Sequence, residues 1–155
     1  MAATFTTWKS PLEALIRAPG GVRVVDALRQ ADANLELIRE PCLADLDQQL
    51  DILDRLSAES GESANDVVKL EIYQRANDIH AIAGVFGLGE MSDAAFCLCE
   101  LIDRLRNQSA WSKPAVDVHL SSLHLLRHPS KEDRASVVEG LRRLTEKVAP
   151  LDTAA

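Results

Sequence analysis

The chain has 155 residues, 46% of them hydrophobic and only 4% aromatic, and a formal net charge of −7. That length favours one domain, and a core this poor in aromatics has to be built from Leu, Ile, Val and Ala, as in helical bundles. The acidic balance argues against nucleic acid and anionic membrane surfaces as partners, since both need a basic face. No apolar run approaches the roughly 20 residues that span a bilayer. The first nine residues lack the charged start and apolar centre of a secretion signal. Cys42, Cys97 and Cys99 form an odd, sparse set. The last two point about 200° apart on a helix and are poorly placed to bridge. A reduced, cytoplasmic home is the expectation.

Residues 1–21 read as an N-terminal arm. Pro11 and the break at Pro19-Gly20-Gly21 frame a turn of helix around residues 12–17. Residues 22–38 read as a helix with Val25, Leu28, Leu35 and Ile38 as its apolar positions. Pro41 interrupts or kinks the chain. Residues 43–56 then continue helically, with Leu43, Leu46, Leu50, Leu53 and Leu56 as the buried stripe. Residues 57–63 are a polar connector, and Ser63 or Asn65 caps the helix that runs from about 65 to 86. Gly87-Leu88-Gly89 supplies a tight turn. The next helix, to about residue 106, buries Met91, Ala94, Ala95, Leu98, Leu101, Ile102 and Leu105. A loop over 107–113 leads to Pro114 as a first helical residue and a helix through 126. His128-Pro129-Ser130 is a break, residues 131–148 form a last amphipathic helix, and 149–155 are a tail. No strand-like alternation competes with this pattern. The expected fold is all-α: one helical domain over 22–148, containing an antiparallel four-helix bundle over about 43–128. The helices outside the bundle are additions for capping or dimerisation.

His80 is the candidate functional residue. At 100° per residue, Tyr73, Ala76, Asn77, Ala83, Gly84 and Gly87 fall within about 60° of it, and Lys69 joins them further back. Val68, Ile72, Ile79, Ile82 and Phe86 centre roughly 120° away and read as the core face. The imidazole thus stands beside the core on a stripe of small side chains. Glycines inside a helix cost about 1 kcal/mol each against alanine, so Gly84 and Gly87 indicate close approach by a neighbouring helix or a partner. A partner's backbone can reach an imidazole presented in this way.

The segment His80-Ala81-Ile82-Ala83-Gly84, followed by Gly87-Leu88-Gly89 and the Ala-, Leu- and Cys-rich helix from Met91 to Leu105, resembles the histidine phosphotransfer (HPt) domain of bacterial two-component phosphorelays. The resemblance covers about residues 43–128. It implies an antiparallel four-helix bundle and a cytoplasmic phosphoprotein of signal transduction. His80 would take a phosphoryl group from a receiver-domain aspartate or hybrid histidine kinase and pass it to a response regulator. Gly84 matches the glycine that admits a receiver, and Gly87 the later small position. Tyr73, Ala76 and Asn77 complete the docking stripe, while Val85, Leu88 and, at the start of the next helix, Met91 offer an apolar rim. The family's lysine, three residues after the histidine, is Ala83 here. A charge-assisted hydrogen bond of the kind it makes is worth roughly 1.5–3 kcal/mol. Lys69, about 16 Å away along the axis, does not replace it. On this reading Ala83→Lys lengthens the life of the phosphorylated form. The resemblance implies no metal or cofactor on this chain, with Mg²⁺ only on the partner receiver. It leaves open a monomer or homodimer, and a module that only binds receivers or kinases without carrying phosphate.

Other signals read as structural. His119, His124 and His128 are helix-surface histidines without ligand partners at metal spacing. Cys97-Leu98-Cys99 is too close for a zinc pair and packs in the core. Asp45, Asp47, Asp51 and Asp54 are the solvated face of an amphipathic helix. Trp8 and Trp111 are isolated, each a partner anchor or a core plug. No phosphate-cradling Gly-rich loop accompanies a Lys-Ser or Lys-Thr pair, so self-phosphorylation from ATP is not expected.

Overall fold

Residues 20–128 and 133–149 are described by the structure, a computed structural model, and every regular element among them is an α-helix. In chain order these are α1 (Val24–Ser60), α2 (Asp66–Val85), α3 (Gly89–Asn107), α4 (Lys113–Arg127) and α5 (Arg134–Val148). The chain divides into two compact units, Met1–Ile38 and Arg39–Ala155. In the first, the described residues are the start of α1 and the turn before it. The predicted turn around 12–17 and Trp8 lie outside the described residues.

The two predicted helices 22–38 and 43–56 are one helix of 37 residues that passes through Pro41. A mid-helix proline costs one backbone bond and a ring clash, about 3 kcal/mol. Here helix-forming residues on both sides carry the helix across that gap. It also continues beyond the predicted end. Ser57, expected in a connector, is buried inside α1 and donates to Asp117 Oδ1 of α4 at 2.6 Å. Partial burial pushes the Asp117 carboxyl up, but hydrogen bonds from Lys113 and Ser57 outweigh it and hold the group below the usual carboxylate range. Asp47 and Asp54 do more than face solvent. Arg127 grips Asp47 through two bonds of 2.6 and 3.0 Å, and His124 Nε2 lies 2.8 Å from Asp54.

The second unit is organised around α3. This helix packs against α2, α4 and α5, while α4 and α5 also touch. Buried on most of its circumference, α3 needs apolar or small residues nearly all round. That is why Cys97 and Cys99, on opposite sides, are both in the core. Burial drives the Cys99 thiol up to about 12 and raises Cys97 as well, so both stay protonated. Leu46, Leu50 and Leu53 of α1, Ile72 and Ile79 of α2, and Leu120, Leu123 and Leu126 of α4 complete the core, and Leu43 and Leu56 are only half-buried. The last helix, expected outside the bundle, buries Val138, Leu141 and Thr145 in the same core. Ala149, placed in the predicted tail, is buried and accepts a bond from Arg104 at 3.3 Å. Trp111 acts as a plug: half-buried against the core, it donates to the Gly61 carbonyl at 3.3 Å.

His119 is a correction. Expected at the surface, it is fully buried between α4 and α5, with Nδ1 2.8 Å from the Ala115 carbonyl and Nε2 3.3 Å from Thr145 Oγ1. The carbonyl can only accept, so Nδ1 carries the proton and Nε2 accepts from the threonine hydroxyl. Desolvation depresses its pKa, only partly offset by the bond to Ala115. A histidine held neutral in this way contributes stability above its unfolded value of about 6.5 and loses it as pH falls through the lower folded value. His119→Gln should lower the melting temperature at pH 7.5 yet flatten its decline between about pH 6.5 and 5. Parallel declines in the two proteins would show that His119 does not govern that window.

Candidate functional site

The helix α2 opens on Asn65, whose side chain accepts from the Val68 N–H at 3.0 Å, and closes on Phe86. Gly87 follows with φ +79°, the left-handed turn residue, and the Leu88 N–H returns to the Ala83 carbonyl at 2.9 Å. This is the Schellman closure, and glycine is there because a side chain at that φ is strained. Leu88, half-buried, then begins α3.

The buried stripe of α2 is Lys69, Ile72, Ala76, Ile79 and Ala83, continued by Phe86 beyond its end. That stripe lies roughly 50° closer to His80 than the predicted one. Val68 and Ile82, expected in the core, are only partly buried. The reason is closeness of approach: the neighbouring helix packs tightest over alanines, so the small residues mark the contact line. Four expectations change with it. Ala76 and Ala83 are core residues, not part of an accessible stripe. Lys69 is buried beside its α2 neighbour Asp66, 3.8 Å away. Met91, read both as core and as rim, is fully buried and belongs to the core alone.

His80 itself is half-buried at the α2–α3 seam. Nδ1 lies 3.0 Å from the Ser92 carbonyl oxygen and 2.9 Å from Ser92 Oγ, while that hydroxyl donates to the His80 carbonyl at 2.8 Å. The donors and acceptors admit one tautomer. The Ser92 carbonyl can only accept, and the hydroxyl's single proton goes to the His80 carbonyl, so the shared proton is on Nδ1. In the neutral ring Nε2 then carries the lone pair, and it has no hydrogen-bond partner among the described residues. Phe96 flanks the ring with centroids 5.6 Å apart and is itself 51% exposed. Asn77 and Gly84 are exposed one turn to either side, Val85 is exposed nearby along α2, and Tyr73 is half-buried. Among the described residues no lysine or arginine bonds the ring.

Gly84 has a specific duty here. A Cβ on it would stand 3.3 Å from Ser92 Oγ, tighter than ordinary contact. Gly84→Ala is expected to displace that hydroxyl and mix the imidazole tautomers, with a stability change within about 1 kcal/mol because alanine also favours the helix. Imidazole ¹⁵N shifts would reveal it; an unchanged Nδ1–H signature would show that the hydroxyl has room to move.

Ser92 and Phe96 were not singled out from sequence, although a signal exists. A hairpin of two helices turning at Gly87 brings together residues equidistant from about position 86. His80 and Ser92 are such a pair, and so are Tyr73 and Cys99, whose Sγ donates to the Tyr73 carbonyl at 3.7 Å. Elsewhere, hollows of about 200 and 230 Å³ lie along α1 and α4, lined by Asp47, Asp54, Asp117, His124 and Arg127, whose side chains already have polar partners. Both are smaller than the usual small-molecule site. Among the described residues no group of three His, Cys, Asp or Glu could hold a metal ion, and no helix is long and apolar enough to cross a membrane. No known protein family, curated protein or solved structure matches the chain.

Proposed function

We propose that this chain is a cytoplasmic phosphorelay carrier of the HPt kind. Residues 39–60 with α2, α3 and α4 would form the antiparallel four-helix bundle of that reading, and His80 is its phospho-acceptor. The observation that carries the proposal is the engagement of Nδ1 by Ser92 on a half-exposed ring, which leaves Nε2 of the neutral imidazole as the nucleophile. In the transfer, that pair attacks the phosphorus of a receiver's aspartyl phosphate. The Nε2–P bond forms as the P–O bond breaks, and the carboxylate leaves with its electrons. No proton has to move, because the Nδ1 proton stays on the ring and the Ser92 carbonyl stabilises the imidazolium that results. Such chemistry asks for positioning and charge stabilisation more than for a base. The receiver brings the Mg²⁺ and the cation that Ala83 does not provide. Asn77, Gly84, Val85 and Phe96 offer the low, partly apolar surface on which it docks.

The experiment is incubation with a phosphorylated receiver or hybrid kinase, followed by assay for acid-labile, base-stable phosphate on this chain. That no lysine or arginine among the described residues bonds the His80 ring favours one second reading, a module that docks receivers without accepting phosphate. Receiver binding with no label on the wild type would select it.

A further inference from the structure

The first unit carries a surface that the phosphotransfer reading does not use. Val24, Leu28, Ala31, Leu35 and Ile38 follow one another at spacings of 4, 3, 4 and 3 along α1. That alternation averages 3.5 residues, the period of a two-helix seam, and it is narrower than the wide stripe of a helix lying on a globular core. The four large side chains stay exposed, Val24 at 74%, Leu28 at 60%, Leu35 at 40% and Ile38 at 49%. Away from the seam the helix carries self-paired polar groups, Arg29 on Asp26 at 3.3 Å and Gln30 on Asn34 at 3.1 Å, with Val25 and Leu37 as exposed apolar exceptions.

We propose that this seam is a homodimer interface in which two copies of α1 pack antiparallel, centred on Ala33. The order of side-chain sizes selects a second copy of this chain. Run antiparallel, Ala31 faces the partner's Leu35 and Leu28 faces the partner's Ile38, so the small residue meets a large one in both directions. A parallel pair stacks alanine on alanine and leaves a gap at the centre. Closed two-fold pairing of one surface with itself is also the commonest symmetry of homo-oligomers. Two such helix faces bury about 1,000 Å², the low end for a specific interface. The dimer is therefore concentration-dependent and not permanent.

Sedimentation equilibrium of the full chain from micromolar to millimolar concentration tests this. The wild type should pass from monomer to dimer. Leu28→Glu/Leu35→Glu should weaken association about a hundred-fold or more, since each carboxylate would be drawn from water against an apolar residue of the second copy. Both positions are exposed, so circular dichroism should stay unchanged and separate this effect from unfolding. In a Cys42→Ser background, Ala31→Cys/Leu35→Cys should form the cross-chain disulfide, whereas Ala31→Cys alone should not. A chain monomeric throughout, a dimer indifferent to the two glutamates, or cross-linking by Ala31→Cys alone would each overturn the proposal. A monomer in which Leu28→Cys resists alkylation would overturn it in favour of the chain's own first nineteen residues as the cover.

Discussion

His80→Gln is expected to take up no phosphate from a phosphorylated receiver under conditions that label the wild type, a loss of more than about 10³-fold. The glutamine amide has no nucleophilic nitrogen lone pair, yet its N–H can still donate to the Ser92 carbonyl, so the α2–α3 seam should survive. Circular dichroism and the melting curve should therefore match the wild type. Ser92→Ala belongs in the same series and should fall between the two. It keeps the backbone carbonyl that accepts from Nδ1 and loses only the hydroxyl bridging Nδ1 and the His80 carbonyl. One neutral hydrogen bond is worth about 0.5–1.5 kcal/mol, so labelling should slow by about two- to tenfold. Label persisting on His80→Gln would place the acceptor elsewhere. Equal rates for Ser92→Ala and wild type would remove the hydroxyl from the argument while leaving the histidine in it.

Ala83→Lys should destabilise the fold, the opposite of a gain. By family analogy a lysine at this position restores a missing cation and prolongs the phosphohistidine. The structure puts Ala83 in the core with no exposed surface. A four-carbon stem there overpacks the α2 contact at about 1–3 kcal/mol, and an unpaired ammonium drawn away from water adds to that cost. A total of about 3 kcal/mol corresponds to a melting temperature lower by roughly 6–12 °C for a chain of this size. Calorimetry of the unphosphorylated variant decides between the two expectations. An unchanged transition together with a longer-lived phosphohistidine would mean that the lysine threads past the core to reach the His80 surface, and the analogy would then be right.

Much of the helical layout was legible in the residues because it rests on local rules. The 3.6-residue periodicity located the segments, Asn65 is the cap expected of its residue type, and Gly87 sits where a left-handed residue is needed. Errors arose where a distant element decided the outcome. Pro41 looked like an interruption or a kink because the cost of proline is local, while the turns on either side that carry α1 through it are not counted by that rule. His119 looked like a surface residue because its own helix offers only the Ala115 carbonyl; Thr145, on a helix 26 residues on, partners the other ring nitrogen. The core line of α2 was misjudged because hydrophobicity weights large side chains, whereas helix packing is closest over small ones such as Ala76 and Ala83.

Local patterns were enough to read the chain as helical, to find the turn at Gly87, and to set His80 beside a buried stripe. Periodicity and turn chemistry act within a few residues, so they can be read without a fold. The packing of the helices was needed to see which nitrogen of that histidine Ser92 engages, that a side chain at residue 84 would press on the Ser92 hydroxyl, and that residue 83 is buried. Each of those depends on α3 folding back across α2 to set Ser92 against the imidazole, and a contact between helices is made by distance in space, which no local pattern in the chain encodes.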